Sequence, residues 1–281
     1  MRDFTLTPSC AQRPGIVHAI TRFLTHHEAD ILEHQQFDDA AGGQLFVRTA
    51  FRAEQGYTAE RLIDDFAVTA TEFGMSFTIR GDRGPRLLVM VSRHRHCLND
   101  LVFRWRSGTL GGELAVVVSN HQDLRSMAEA AGLPFHHIPV TPADKPQAEA
   151  ALLELVAELN IDLVVLARYM QVLSDETCTA LYGRAINIHH SFLPGFKGAR
   201  LYRQALERGV KLVGATAHYV TPELDERPII EQEVIRIDHT HDERAMSTVG
   251  RDAEAIALAR AVRWHCESRV LLNGHSTVVF R

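Results

Sequence analysis

From residue 86 onward, short segments made only of apolar residues alternate with segments of helical periodicity. Residues 87–91, 114–118 and 163–166 are apolar at every position. A strand has this composition when helices cover both faces of its sheet. The segments between them place apolar residues three and four positions apart, as amphipathic helices do. This alternation predicts an α/β domain built on a doubly wound, mostly parallel sheet.

The first eighty residues follow a different order. Alternating apolar residues predict four strands, and helical spacing predicts two helices, in the order βαββαβ of a ferredoxin-like sandwich. The second helix is expected at 59–73, with Leu62, Phe66 and Val68 on or near its buried side. A polar segment rich in Gly and Pro follows the last of these strands, as is typical of a linker. We therefore expect one domain at 1–80, a linker at 81–86 and a second domain at 87–281.

The last third of the chain predicts further strands at 213–220 and 229–237 and a helix at 252–267. Apolar segments on either side of Asn273 and Gly274 predict a closing hairpin, because Asn-Gly favours the tight turns that join antiparallel strands.

Composition excludes several classes of protein. The net charge of −5 gives no electrostatic footprint for nucleic acid. No apolar run reaches the roughly 18 residues that a membrane span needs, and the N-terminus lacks the pattern of a signal peptide. The four cysteines form no CxxC pair, which indicates reduced thiols and a cytoplasmic protein. The histidines have no clear metal-ligand spacing, so no metal is expected.

Three polar residues carry the candidate chemistry. Asn187 and His189 lie two apart at the end of a predicted strand, so their side chains share one face. In open α/β sheets, ligands bind beyond this end of the strands. With Asp225 they supply an amide donor, an imidazole and a carboxylate without an evident nucleophile, which suits acyl transfer to water or an amine. Taken singly, each also fits a structural role: a strand-end cap, a core imidazole and a turn aspartate.

Three segments, 185–199, 209–220 and 223–233, resemble the folate-dependent formyltransferases. In that family the catalytic residues are Asn, His and Asp, which correspond here to Asn187, His189 and Asp225. The N-terminal segment 9–17 resembles that of an ACT domain, a small-ligand regulatory module, although Ala11 and Gln12 depart from the usual Pro-Asp. The ACT-like domain therefore has two open interpretations, an effector site or a subunit interface.

Within this family, the chain is most similar to the branch that hydrolyses 10-formyltetrahydrofolate to tetrahydrofolate and formate, in one-carbon metabolism and purine biosynthesis. His190 follows His189 where transformylases usually have Pro. No glycine lies between Arg86 and Trp105, so the Gly-rich loop that would hold an acceptor's phosphate is missing. The resemblance implies that water attacks the formyl carbonyl, that Asn187 and His189 stabilise the oxyanion, and that Asp225 orients and deprotonates the water. It implies no cofactor besides the folate substrate.

The resemblance also implies a folate pocket and a water side. The expected substrate-binding residues are Met170, Gln171, Val172, Leu173, Val220, Thr221, Glu223, Leu224, His190, Lys197, His96 and Cys97. Arg227 stands where relatives usually have Gly and could shift the loop that carries Asp225. Two other functions remain open: formyl transfer to an amine, and a folate or amino-acid sensor with weak catalysis. A homo-oligomer, either a dimer or a tetramer, is expected because ACT-like sheets pair side by side.

Overall fold

The computed structural model describes residues 1–191, 208–223 and 228–281. The chain divides into two compact units. The first contains residues 1–84, 267–273 and 278–281, and the second contains 85–266 and 274–277.

The first unit is a four-stranded antiparallel sheet with two helices. Its elements are β1 (Arg2–Ala11), α1 (Ile16–His26), β2 (Asp30–Asp39), β3 (Gln44–Ala53), α2 (Ala59–Phe73) and β4 (Ser76–Arg80). The strand order is β2-β3-β1-β4, so the two βαβ halves interleave as in the predicted ferredoxin-like sandwich. Two strands, β2 and β4, are therefore the edges of this sheet.

Helix α2 has the predicted bounds, and its ends explain why. The Thr58 hydroxyl accepts a hydrogen bond from the Arg61 N–H at the first turn, and Gly74 ends the helix in the left-handed conformation at φ 63°. Leu62 and Phe66 are fully buried, as predicted. Val68, which was expected on or near the buried side, is 76% exposed. Val68 lies two residues after Phe66, which turns it to the opposite side of a helix with 3.6 residues per turn.

The end of the chain packs with the first unit, although it had been assigned by sequence to the second domain. Phe46 on β3 clusters with Val278, Phe280 and Leu271. The Arg48 guanidinium donates to the carbonyl oxygen of Glu267 at 3.0 and 3.2 Å. The hairpin strands are β12 (Val270–Asn273) and β13 (Ser276–Val279).

The second unit is built on a seven-stranded sheet. Its first strands are β5 (Arg86–Val91), β6 (Glu113–Ser119), β7 (Phe135–His137), β8 (Leu163–Leu166) and β9 (Ala185–His189). These five pair in parallel, while β10 (Leu212–Tyr219) and β11 (Ile229–Arg236) add antiparallel pairs at one edge. The strand order is β11-β10-β9-β8-β5-β6-β7. Successive strands run outward from β5 to β7, and β8 then lies on the other side of β5, so the winding reverses between β5 and β8.

Helices connect the parallel strands. They are α3 (His96–Arg106), α4 (Arg125–Ala130), α5 (Lys145–Glu158) and α6 (Asp175–Ala180), and a longer helix, α7 (Glu243–Cys266), follows β11. Helix α7 begins nine residues before the predicted start, because the Asp242 carboxylate accepts the Ala245 N–H at 2.7 Å and caps an earlier first turn. No helix in the described part of the chain has the length and apolarity that crossing a bilayer requires.

Candidate active site

The pairing of β9 with β10 brings four polar side chains to one place. Asn187 lies directly opposite His218, and His189 directly opposite Thr216. Because side chains alternate along a strand, Asn187 and His189 share a face, as the spacing predicts. His189 and His218 are buried, with 8% and 4% of their surfaces exposed.

The hydrogen bonds of His218 fix the orientation of the Asn187 amide. Nδ1 of His218 lies 2.9 Å from the carbonyl oxygen of Tyr219, which only accepts, so Nδ1 carries the hydrogen. In the neutral ring, Nε2 is then an acceptor. Nε2 lies 3.2 Å from Nδ2 of Asn187, so the amide donates one N–H to His218. The same Nδ2 atom keeps a second N–H.

Asn187 and His189 line a cavity of about 530 Å³ at the carboxyl ends of the strands. One wall is formed by residues 170–173 after β8, and residues 220–223 after β10 form another part of the lining. Of the expected pocket residues, those described on its lining are Met170, Gln171, Val172, Leu173, Val220, Thr221, Glu223 and His190. Met170 and Val172 are about half exposed, at 53% and 54%, so this wall presents apolar surface to an open cavity.

Hydrogen bonds across the sheet hold the segment after β8. The Ser92 hydroxyl accepts the Met170 N–H at 3.0 Å and donates to the Asn120 side-chain oxygen at 2.7 Å. Ser92 follows β5 and Asn120 follows β6, so one buried hydroxyl connects three strand ends. Arg168, in the same segment, has φ 64°, a left-handed conformation that costs a residue other than glycine roughly 1–2 kcal/mol.

A second set of bonds anchors the far end of this wall. Glu149 on α5 accepts the Ser174 N–H at 3.0 Å and the Thr177 hydroxyl at 2.8 Å, and it thereby holds Ser174, whose own hydroxyl caps α6. Burial alone raises the pKa of Glu149, but these bonds bring it below the usual value. Burial also raises the pKa of Tyr169, which lines the cavity, to about 12. The phenol is therefore neutral at physiological pH.

His96 and Cys97 begin α3 beside a buried acid of α7, and neither is among the lining residues described for the cavity. Glu254 is only 2% exposed. Its carboxylate oxygen lies 2.7 Å from Nε2 of His96 and 3.3 Å from Nε of Arg168. Burial raises the pKa of Glu254, but the His96 hydrogen bond and the Arg168 charge lower it below its usual value. The carboxylate is therefore an anion that accepts a hydrogen bond from His96 and lies beside the Arg168 cation.

The environment of Cys97 favours a neutral, unreactive thiol. Burial raises the pKa of this thiol well above its usual value, and none of its surface is exposed. His96, Cys97 and Glu254 also form a set of possible metal ligands, with donor atoms within 4.8 Å of one another. The Arg168 guanidinium already places a cation beside the only carboxylate of that set.

Some expected site residues lie outside the described residues: Asp225, Leu224, Lys197 and the departure at Arg227. Conversely, the structure brings in Arg168, His218 and Glu254, which the sequence analysis missed. Strand alternation offered a signal for His218, which stands two positions after Thr216 on the same face. Arg168 and Glu254 carried no local signal, because their contact joins elements 86 residues apart in sequence.

Comparison with known proteins gives the chain a context. The sequence profile of the family described as Formyl transferase matches residues 85–262. A formyltetrahydrofolate deformylase of Corynebacterium sp. (strain P-1) is 53% identical over 282 residues, with 98% of this chain and 97% of that protein covered. The formyltetrahydrofolate deformylase of Bacillus subtilis (strain 168) is 43% identical over 279 residues, with 98% and 93% covered.

Solved structures show the same relation. A formyltetrahydrofolate deformylase from Pseudomonas syringae superposes with a TM-score of 0.96 at 46% identity and covers 100% of this chain and 95% of its own. Glycinamide ribonucleotide transformylase 1 from Symbiobacterium toebii superposes with a TM-score of 0.67 at 31% identity and covers 72% and 97%. These neighbours confirm the predicted formyltransferase fold, and the first of them matches over both units.

Proposed function

Because the chain belongs to the formyltetrahydrofolate deformylases, we propose that its cavity binds 10-formyltetrahydrofolate and that Asn187, His189 and Asp225 direct water to the formyl carbonyl. The protein is a hydrolase that releases tetrahydrofolate and formate. The observation that supports this role for the cavity is the position of Asn187 and His189 together on its lining, at the carboxyl end of β9.

The proposed reaction begins with water attacking the formyl carbon. A new carbon–oxygen bond forms, and negative charge develops on the former carbonyl oxygen. The second N–H of Asn187 Nδ2 and a ring N–H of His189 donate to this oxyanion, and such donors are among the largest contributions to catalysis. The bond between carbon and N10 then breaks. N10 takes the proton that water gave up, and the released formic acid ionises to formate.

Asp225 is proposed as the group that orients water and takes its proton. Support for this role comes from its place in the family motif, within residues 223–233, and not from its position in the structure. A carboxylate suits the task because it accepts a hydrogen bond from water in the ground state and a proton in the transition state.

The folate is proposed to bind between the two walls of the cavity. Ligand pockets combine apolar surface with a few placed polar groups, and the segment Met170–Leu173 supplies exposed Met170 and Val172 together with backbone groups. No cofactor besides the substrate is part of the proposal. His96, Cys97, His190 and Lys197 are proposed to shape the water side of the site, and His190 is among the residues described on the cavity lining.

The N-terminal unit is proposed to form a subunit interface through β2. This edge strand exposes Ile31, Leu32 and Phe37, at 40%, 45% and 45%, and the unpaired backbone groups of an edge strand are a template for pairing with another chain. We propose a homo-oligomer, a dimer or a tetramer, through paired β2 strands, and a bound effector at the same unit remains part of the ACT-like proposal. The proposed cytoplasmic location is supported by four buried free cysteines.

One incubation tests the proposed function. The protein is mixed with 10-formyltetrahydrofolate and no amine acceptor, and free tetrahydrofolate and formate are measured. We expect equal amounts of both. Asp225→Asn should bind the folate and release no formate, whereas the wild-type rate in this variant would remove Asp225 from the mechanism. Folate binding without any formate from the wild-type protein would contradict the hydrolase itself.

A further inference from the structure

The cavity wall at 170–173 is held at both ends by buried side chains from other elements. This wall lies in the irregular segment between β8 and α6. Ser92, after β5, accepts the N–H of Met170, the first residue of the wall, at 3.0 Å. Glu149, on α5, accepts the N–H of Ser174, directly after the last residue of the wall, also at 3.0 Å. The wall is therefore a short length of chain fixed at its two ends.

Between these two bonds, the backbone of the wall is open. Within the ranges that the structure describes, no protein group is hydrogen-bonded to the N–H groups of residues 171–173 or to the carbonyl oxygens of residues 170–172. Backbone groups away from bulk water are normally paired. A run of open donors and acceptors on the lining of a cavity is therefore suited to a ligand that offers both kinds of group along one edge.

The Ser92 hydroxyl is oriented for its bond to the wall. Its hydrogen is donated to the side-chain oxygen of Asn120 at 2.7 Å. The hydroxyl oxygen keeps its lone pairs, and one of them accepts the Met170 N–H. Both Ser92 and Asn120 are buried, so little water competes for these bonds. The position of the wall is thereby connected to the ends of β5 and β6.

The bond from Met170 to Ser92 also closes one side of a strained turn. Arg168 has φ 64°, which a residue other than glycine keeps only where the surrounding structure imposes it. On one side of Arg168, the Ala167 N–H donates to the Met90 carbonyl oxygen at 2.8 Å. On the other side stands the bond to Ser92. Without the hydroxyl, the turn is held on one side only and can relax, and the wall moves with it.

Glu149 fixes the other end with a charged acceptor. Its hydrogen bonds to Ser174 and Thr177 lower its pKa below the usual value in spite of burial, so it is an anion at neutral pH. Lys145 Nζ lies 3.6 Å from its carboxylate, one helical turn earlier on α5. Hydrogen bonds to an ionised acceptor are stronger than those between neutral groups. The end of the wall and the first turn of α6 are thus bound to one carboxylate.

We propose that Ser92 and Glu149 are positioning residues that hold residues 170–173 in the conformation that binds the folate, whose ring edge pairs with the open backbone groups of the wall. The inference deepens the proposed function and rests on it for the identity of the ligand. Neither side chain needs to touch the folate or the formyl group. Apparent affinity falls in proportion to the fraction of molecules that have the binding conformation. Loss of either side chain therefore acts on KM and not on kcat.

The first experiment compares kcat and KM for formate release. Ser92→Ala leaves a backbone N–H without its acceptor, so KM should rise about tenfold while kcat stays within about threefold of the wild type. Ser92→Thr keeps the hydroxyl and should return KM to within about threefold of the wild type. Glu149→Gln keeps one acceptor oxygen for two donors and should raise KM about threefold at unchanged kcat.

Ser119→Ala is the matched control. Ser119 is also buried at a strand end, and its hydroxyl also accepts a backbone N–H, that of His121, at 3.1 Å. It is not among the lining residues described for the cavity, so its KM should stay within about twofold of the wild type. A variant that merely unfolds in part would lose kcat per chain at unchanged KM, because unfolded molecules bind no substrate.

A wild-type KM in folded Ser92→Ala would overturn the proposal, and so would a loss confined to kcat. If Ser92→Ala does not fold, Ser92→Cys replaces the hydroxyl by a thiol, whose sulfur is a weak acceptor. It should also raise KM, and a wild-type KM in this variant would count equally against the anchoring of the wall.

Hydrogen exchange of residues 167–173 supplies a readout that needs no turnover. Tetrahydrofolate should protect the amides of residues 171–173 in the wild type. In Ser92→Ala, the Met170 amide should exchange faster, and the tetrahydrofolate concentration that gives half protection should rise about tenfold. Half protection at the same concentration in both proteins would overturn the proposal.

The two readouts separate this proposal from the proposed function. A shift in protection by Ser92→Ala, together with no formate from the wild type, would support the anchoring of the wall and remove the hydrolase. Formate release together with an unshifted protection curve would leave the hydrolase and remove the role of Ser92.

Discussion

His218 gives the sharpest test of how the site is oriented. Its two ring nitrogens have different partners, Tyr219 O at Nδ1 and Asn187 Nδ2 at Nε2. Two substitutions distinguish the contributions of these two hydrogen bonds. A Gln side chain places its amide near the position of Nε2, and an Asn side chain places its amide near that of Nδ1. His218→Gln keeps an acceptor for Asn187, whereas His218→Asn keeps only the donor to Tyr219.

The magnitude follows from the bond that is lost. A neutral hydrogen bond such as that between Asn187 and His218 contributes a net of about 0.5–1.5 kcal/mol. If all of it serves to hold the amide in place for the transition state, kcat falls roughly 2- to 13-fold in His218→Asn. His218→Gln should stay within about twofold of the wild type. Asn187→Ala removes the oxyanion donor itself and should cost ~10²–10³ in kcat.

The assay is steady-state formate release, with kcat and KM determined for each variant and for Asn187→Ala combined with His218→Asn. Because His218 acts through Asn187, the double variant should be no slower than Asn187→Ala alone. Multiplied losses in the double variant would refute the reasoning, and so would equal losses in His218→Gln and His218→Asn. A near-ultraviolet circular dichroism spectrum like that of the wild type is the control for folding.

Three further predictions concern the scaffold around the site. The lowered pKa of Glu149 means that its ionised form stabilises the fold. The difference in unfolding free energy between the wild type and Glu149→Gln should therefore be constant near neutral pH and should decrease as the pH falls below 4.5. A difference that increases in acid would contradict this. A Cβ at Gly214 would meet the backbone oxygen of Glu233, so Gly214→Ala should lower the free energy of unfolding, measured with denaturant, by about 1–3 kcal/mol. Gly56→Ala is the control and should lower it by less, because the space around its Cβ is open. The Cys97 thiol should resist iodoacetamide in the native protein and react in denaturant, as read by mass spectrometry; rapid native labelling would disprove its burial.

The fold could be predicted because its signals are local. All-apolar strands require a sheet covered on both faces, and helix ends such as that at Gly74 follow from one residue's conformational freedom. Val68 was misplaced because it lies near the buried stripe in sequence but on the opposite side of α2. The early start of α7 was missed because a capping carboxylate at Asp242 outweighed the weaker apolar pattern that follows it.

The site could be predicted only where one strand carries it. Asn187 and His189 lie two apart, so alternation alone places them together. The hydrogen bond from Asn187 to His218 depends on the register between β9 and β10, which only pairing of the strands sets. The contacts of Glu254 with His96 and Arg168 span α3, β8 and α7, and no sequence window includes all three.

The position of Glu254 on α7 has a consequence for the order in which the site is completed. Every strand of the large sheet precedes α7, which begins at Glu243. In a nascent chain that emerges from the ribosome with its N-terminus first, all seven strands are synthesised before the carboxylate that contacts His96 and Arg168. The contacts of Glu254 with these two residues therefore form only when the last long helix docks, which makes this part of the site a late step of folding.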